Sequence, residues 1–261
     1  MKSLQDYVNQ AQEKIDQAMQ KHERAVLAFS GGKDSLSVLR LLYPYRDRVT
    51  VATADTGAMW PHMVEFIKEA CKDYQLEVIR TDQAAYWRKH GVPSRIVPIY
   101  NHAQLGFMQH AHGNRLLIND WLSCHTTLIS KPLSDYVDQS GATLYIIAQR
   151  DDEGYVDQPK RTGDVEVLTP INEWTAPIVF EYLASIGITP PKQYPEIETS
   201  LDCWNCPAHT TEQTVRFMQR EYPHLVPELN VCLYAAYSTV ADALNAELPA
   251  LRASGLLPQA E

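Results

Sequence analysis

The sequence has 261 residues, of which 45% are hydrophobic and 21% charged, and its formal net charge is −9. This composition supports a sizeable hydrophobic core and excludes global disorder; the acidic balance lowers the expectation that the chain alone grips nucleic acid by its phosphates. No apolar stretch approaches the roughly 20 residues that span a bilayer, and no signal-peptide pattern stands at the N-terminus. We therefore expect a cytoplasmic protein with no membrane association.

The predicted elements alternate between helix and strand. In chain order they are a helix over 4–22, a strand over 25–29, a helix over 34–43, a strand over 49–54, a helix over 61–74, a strand over 76–80, an irregular loop-and-helix insertion over 82–123, a helix over 126–138, strands over 144–148 and 165–168, a helix over 176–186 and a mostly helical stretch from 211. This alternation predicts an α/β fold with a mainly parallel sheet between helices. Ligands of such sheets bind beyond the carboxyl ends of the strands.

A glycine-rich turn connects the first predicted strand to its helix. Its residues are Ser30, Gly31, Gly32, Lys33, Asp34 and Ser35. The glycines let the backbone approach phosphates and accept positive φ, and the helix amino terminus attracts anions. The lysine neutralises phosphate oxygens and the serines donate hydroxyl hydrogen bonds. The aspartate has three open roles: holding the N–H groups of the loop, capping the helix, or positioning Mg²⁺. The alternative is an ordinary glycine turn with an Asp cap.

The SGGxDS pattern of this turn resembles the pyrophosphatase loop of the adenine-nucleotide α-hydrolases. Further motifs resemble, in kind and order, those of the phosphoadenosine phosphosulfate (PAPS) reductase family over about residues 24–210. They are Asp55-Thr56-Gly57, Ser123-Cys124-His125, Lys131-Pro132-Leu133, Gln149-Arg150-Asp151, the run from Thr169 to Thr175, and Asp202-Cys203-Trp204-Asn205-Cys206-Pro207. The resemblance implies a five-stranded, mainly parallel sheet and an enzyme that binds ATP, adenosine phosphosulfate (APS) or PAPS, with Mg²⁺.

The resemblance also implies roles for individual residues. The turn from Ser30 to Ser35 would hold the phosphate or sulfate end of the nucleotide, and Lys33, Asp34 and Arg150 would be catalytic. Asp55 and Gly57 would lie beside the ribose or adenine. Two alternatives stay open, since Asp55 is also a candidate helix N-cap and Arg150 a candidate surface ion pair of small energetic value.

Five cysteines are present, and an odd number in a cytosolic chain argues against a disulfide framework. The resemblance places Cys124, Cys203 and Cys206 where some relatives hold an iron–sulfur cluster, although those relatives have a fourth cysteine. Three readings stay open: a [4Fe–4S] cluster with one open iron, a Zn²⁺ site completed by His125, or three reduced thiols. Cys71 and Cys232 are predicted to be structural, because each lies among apolar residues.

The sequence departs from the family in one respect that bears on the reaction. Reductases of this group carry a nucleophilic cysteine in a Glu-Cys-Gly segment, and this sequence contains no such segment. We therefore predict an enzyme that adenylates an unidentified acceptor at the α-phosphate and couples this step to sulfur transfer. The alternatives are an adenylyl- or phosphoadenylyl-sulfate reductase using a thiol from a partner, and a nucleotide-binding subunit of a nucleic-acid-modification complex. The predicted domains are an N-terminal helix over 1–23, a nucleotide-binding domain over 24–210 and a helical extension over 211–261.

Overall fold

The computed structural model describes residues 2–95, 118–153, 165–201 and 203–254. The chain divides into two compact units. The first unit comprises Met1–Asp82 and Thr126–Asp202, and the second comprises Gln83–His125 and Cys203–Glu261. Among the described residues, none of the helices has the length and apolar character of a membrane span.

The helices and strands follow one another closely along the described chain. In order they are α1 (Leu4–Lys21), β1 (Ala25–Ala28), α2 (Lys33–Leu41), β2 (Val49–Asp55), α3 (Pro61–Ala70), β3 (Gln75–Arg80), α4 (Gln83–His90), β4 (Val92–Ser94), β5 (Ile118–Asp120), α5 (Trp121–His125), α6 (Lys131–Ser140), β6 (Leu144–Ile146), β7 (Glu166–Leu168), α7 (Ala176–Ser185), α8 (Glu212–Glu221) and α9 (Val226–Ala253). Short 3₁₀ turns cover Tyr43–Arg48, Asp151–Glu153 and Pro223–Leu225, and a π-helical turn covers Thr126–Ser130.

The first unit is built on a five-stranded sheet in the order β3-β2-β1-β6-β7. Every neighbouring pair is parallel, and in the centre Leu27 lies opposite both Val51 and Ile146. Parallel neighbours need crossover connections, and helices supply most of them. The predicted α/β class with a five-stranded parallel sheet between helices is therefore confirmed.

Both faces of this sheet are covered, as the alternation of side chains along a strand requires. Ala25 and Leu27 of β1 point into the larger core, which helices α1, α2, α3 and α7 complete. Val26, between them, points to the opposite face and joins the smaller core with Leu133 and Val137 of α6. Burial on both faces explains why the central strands are apolar throughout instead of alternating with polar residues.

Several element boundaries differ from the predicted ones. The helix predicted over 61–74 ends at Ala70, since Tyr74 N–H bonds to Cys71 O at 2.9 Å in a turn. The helix predicted over 126–138 begins with the π-helical turn Thr126–Ser130 and runs on to Ser140. The insertion predicted over 82–123 contains α4, α5 and a small parallel sheet of β4 and β5 in the second unit. Its residues 96–117 lie outside the described part of the chain.

Candidate functional site

The glycine turn lies at the carboxyl end of β1, where the sequence predicted it. Gly31 adopts a φ of +77°, and α2 begins at Lys33 with Gly32 as its N-cap. The two serines brace the turn: Ser30 Oγ accepts a hydrogen bond from Gly32 N–H at 3.2 Å, and Ser35 Oγ donates to Gly32 O at 3.1 Å. The turn therefore aims the amino terminus of a helix at one point beyond the sheet, the geometry that attracts an anionic group.

A side chain at Gly31 would be excluded for two separate reasons. Its positive φ strains any residue with a Cβ. A Cβ there would also lie 2.8 Å from both Ile67 Cγ1 and Met63 Cε, on α3 beneath the turn. The close approach of α3 thus fixes the position of the turn and depends on the absence of a side chain.

Gly31→Ala should lower the free energy of unfolding by about 2–4 kcal/mol, because strain and overpacking add. Gly141→Ala is the matched control. Gly141 has a similar φ of +74°, but a Cβ there would meet no atom within 4 Å, so only the strain of about 1–2 kcal/mol applies. Urea denaturation of both variants measures the difference. Equal losses would contradict the close approach of α3.

Two buried cations beside the turn share one carboxylate. Lys33 Nζ lies 2.8 Å from Asp34 Oδ2, and Arg150 Nη1 contacts Asp34 Oδ1. The side chains of Lys33, Arg150 and Asp34 are 5%, 6% and 10% exposed. The structure thus brings together the three residues predicted to be catalytic. Asp34 directs both its oxygens at the cations, so neither of the predicted roles as helix cap or loop holder describes it.

Arg150 is the most heavily paired group of the site. Besides Asp34, its guanidinium contacts Asp152 at 2.9 Å and Glu153 at 3.4 Å. Burial lowers the pKa of Arg150, but the charge of Asp34 and the other carboxylates raises the pKa to a net value above the ordinary one. Arg150 is therefore a permanent buried cation, and the alternative of a surface ion pair is wrong. Asp34, Asp152 and Glu153 are three carboxylates against the two cations Lys33 and Arg150, so both cations are already paired within the protein.

Asp55 and Gly57 form a separate turn at the carboxyl end of β2. Asp55 Oδ1 accepts a hydrogen bond from Gly57 N–H at 2.9 Å, and Gly57 has a φ of +83°. The following helix starts at Pro61 with Trp60 as its N-cap, so the alternative of Asp55 as helix N-cap is wrong. The carboxylate instead stabilises its own turn, in the manner common for aspartate. Its predicted place beside a ribose or adenine stays a prediction.

Two hydroxyl groups at the turn were not predicted from the sequence. Lys33 N–H donates to Tyr194 Oη at 2.9 Å, and Ser200 Oγ lies 3.2 Å from the same phenol oxygen. Tyr194 stands 161 residues from Lys33 along the chain. No spacing rule connects residues so far apart. The only sequence signal was the proline-rich turn at Pro190 and Pro191 that precedes it.

The three cysteines predicted to bind a metal lie in the second unit. Cys203 and Cys206 flank a tight turn in which Cys206 N–H bonds to Cys203 O at 3.2 Å, and Cys124 Sγ accepts a hydrogen bond from Trp87 Nε1 at 3.4 Å. Within the described ranges, no three His, Cys, Asp or Glu side chains are grouped so as to hold a metal ion. The [4Fe–4S] cluster and the Zn²⁺ site at Cys124, Cys203 and Cys206 therefore stay predictions.

Burial keeps the thiols of the remaining two cysteines, Cys71 and Cys232, protonated. It raises the pKa of Cys71 to about 12 and that of Cys232 to about 11. Both groups therefore stay protonated thiols near neutral pH, which agrees with the prediction that they are structural. No disulfide joins any of the five cysteines.

Comparison with known proteins agrees with this architecture. The model of the phosphoadenosine phosphosulfate reductase domain family matches residues 24–209. An uncharacterized protein of Methanocaldococcus jannaschii is 22% identical over 208 residues, which cover 76% of this chain and 44% of the relative. The chain thus spans less than half the length of that relative. The crystal structure of phosphoadenylyl-sulfate reductase from Candida auris in complex with phosphate superposes with a TM-score of 0.53 at 13% identity, covering 77% of this chain and 89% of the other.

Proposed function

The chain belongs to the phosphoadenosine phosphosulfate reductase domain family, and from that premise we propose that it is an enzyme that binds ATP or a related adenylate and acts at the α-phosphate. The observation that carries this proposal is the pairing of the glycine turn before α2 with two buried cations, Lys33 and Arg150, at the carboxyl edge of a parallel sheet. Catalysis would rest on positioning and on charge stabilisation instead of a protein nucleophile.

The proposed reaction has two steps. An oxygen of the acceptor attacks the α-phosphorus of ATP, its bond to phosphorus forms, and the bond to the β-phosphate oxygen breaks to release pyrophosphate. A sulfur nucleophile then attacks the acceptor carbon that carries this oxygen, so that a carbon–sulfur bond forms, the carbon–oxygen bond breaks and AMP leaves with the oxygen. Lys33 and Arg150 would offset the negative charge that builds on the phosphate oxygens in the first step. Mg²⁺ would share this work; since both Asp34 oxygens face cations, the carboxylate of Asp34 is a poor candidate to hold it in this arrangement.

Nucleotide binding is tested by calorimetry with ATP, APS and PAPS at constant ionic strength, with adenosine as the phosphate-free control. We expect ATP to bind far more tightly than adenosine, because the turn recognises the anionic end. Chromatography of an ATP incubation with candidate acceptors should then show AMP and pyrophosphate. Failure of all three nucleotides to bind would refute the proposal, and release of ADP and phosphate would place the reaction at the wrong phosphorus.

A second candidate function is reduction of an adenylylated sulfate, and the fold shared with a phosphoadenylyl-sulfate reductase favours it. The electron pair would come from a dithiol of a partner protein, and sulfite and the adenine nucleotide would be released. Cys232 is a poor nucleophile for this reaction, since burial raises its pKa to about 11 and the thiolate is the reactive form. Sulfite release from PAPS with added thioredoxin, retained in Cys232→Ser, would establish the reductase with the partner's thiol instead.

A further inference from the structure

The phosphate-binding turn is partly covered by a segment of its own unit. Tyr194 Oη accepts the backbone N–H of Lys33, the first residue of α2, at 2.9 Å. Ser200 Oγ lies 2.7 Å and Tyr194 Oη 3.2 Å from the point where a Cβ on Gly32 would stand. The absence of a side chain at Gly32 is therefore what lets these two hydroxyl groups approach the turn.

The segment is anchored at Gln193 and at the ring of Tyr194. Its neighbour Gln193 is fully buried and lies with its Oε1 2.9 Å from His62 Nε2 at the start of α3. The Tyr194 ring packs edge-on against Phe180 of α7, with ring centroids 5.5 Å apart, and the ammonium of Lys33 lies 5.6 Å from its centre. The phenol hydroxyl is thus held at the turn by the fold itself.

This hydroxyl takes the position that an anion takes at other helix amino termini. A backbone N–H at the start of a helix has no partner within the helix, and a buried N–H without a partner costs free energy. In this chain Tyr194 supplies the missing acceptor. Burial raises the pKa of Tyr194, so near neutral pH the group is an uncharged phenol, a weaker acceptor than a phosphate oxygen.

We propose that the Tyr194 hydroxyl stands in for a phosphate oxygen, so that a phosphate or pyrophosphate group binds the turn by displacing it from Lys33 N–H. Tyr194 then limits the affinity of the site: every anion must exchange one hydrogen bond for another instead of gaining a new one. The inference rests on the proposed function in one respect only, namely that the turn binds the anionic end of an adenylate.

Tyr194→Phe tests the inference, because it removes the competing oxygen and keeps the ring between Phe180 and Lys33. The variant should bind ATP and inorganic pyrophosphate about two- to tenfold more tightly than the original chain, the range that one net hydrogen bond gives. Tyr182→Phe is the matched control. Tyr182 is also a buried tyrosine of the first unit, 6% exposed, and its ring packs on Trp174 in the core. Removal of its hydroxyl group should therefore leave the affinities for ATP and pyrophosphate unchanged.

The two ligands separate this inference from the proposed function. Unchanged or weaker binding of both by Tyr194→Phe would overturn the displacement while leaving an adenylate enzyme intact. Tighter pyrophosphate binding without any affinity for adenine nucleotides would support the displacement and refute the proposed function. Failure of ATP and pyrophosphate to bind either protein would refute both. Hydrogen exchange over residues 30–36 gives a ligand-free readout, since exchange of the Lys33 amide should be faster in Tyr194→Phe and unchanged in Tyr182→Phe.

Discussion

Asp34→Asn should lower the free energy of unfolding by about 3–5 kcal/mol, the loss typical of breaking a buried ion pair by removing one partner. Asp34 is the shared counter-ion of Lys33 and Arg150, and all three side chains are at most 10% exposed. The asparagine keeps the shape of the side chain but not its charge. Lys33 would then remain as a buried ammonium without its carboxylate, while Arg150 would keep Asp152 and Glu153. Urea denaturation followed by circular dichroism measures the loss.

The control for this substitution is an exposed pair of the same chemistry. Asp135 pairs with Lys131 on α6, and the two side chains are 46% and 64% exposed. Asp135→Asn should cost less than about 1 kcal/mol, because water screens such pairs. The double variant Asp34→Asn/Lys33→Met should recover part of the stability that Asp34→Asn loses, since it removes the stranded ammonium. Losses of equal size at the exposed and buried pairs would contradict the picture of a buried, shared carboxylate.

The pairing of Lys33 and Arg150 with Asp34 has a consequence for the proposed binding. Lys33 and Arg150 are neutralised by Asp34 within the protein, and the backbone N–H of Lys33 donates to Tyr194. A phosphate bound at this turn as proposed would therefore gain only the difference between its new contacts and these existing ones. If the proposed adenylate binds here, a multiply charged phosphate group would compete with Asp34 for both cations better than a singly charged anion would.

The parallel α/β sheet and the place of the turn could be predicted because their signals are local. The apolar strand from Ala25 and the glycines beside it stand next to each other in the sequence, and α/β alternation limits the topology to few choices. The partners of the turn are different. Arg150 lies 116 residues from Asp34, and its burial and triple pairing depend on how β6 is placed beside β1. Only the family resemblance identified Arg150 as a candidate site residue, and it did not predict that the side chain is buried.

Other features carried no usable sequence signal. Strands β4 and β5 have three residues each, too few for any hydrophobic period, and β4 contains Pro93, which ordinarily argues against a strand. The buried residues Cys71 and Tyr74 continue the helical spacing of α3 and so favoured a longer helix. In the structure they reach the core from a turn, and Tyr74 donates its hydroxyl hydrogen to Leu39 O. Apolar residues at helical spacing therefore lie partly on the helix, up to Ala70, and partly on the turn that follows it.

Removal of the Lys33 charge should have the largest effect on ligand binding. Lys33→Met should weaken ATP binding about 10- to 100-fold, because a hydrogen bond to a charged group contributes roughly 1.5–3 kcal/mol, while the methionine still packs against the Tyr194 ring. The fold should persist, since Asp34 keeps its contact with Arg150. Calorimetry measures the affinity, with circular dichroism as the check on folding.

Lys72→Met is the control: Lys72 is 62% exposed and pairs with Glu69 at the surface, so the loss of its charge should leave ATP affinity unchanged. A folded Lys33→Met variant with the original ATP affinity would remove Lys33 from the site, and with it the strongest reason to place a phosphate at this turn.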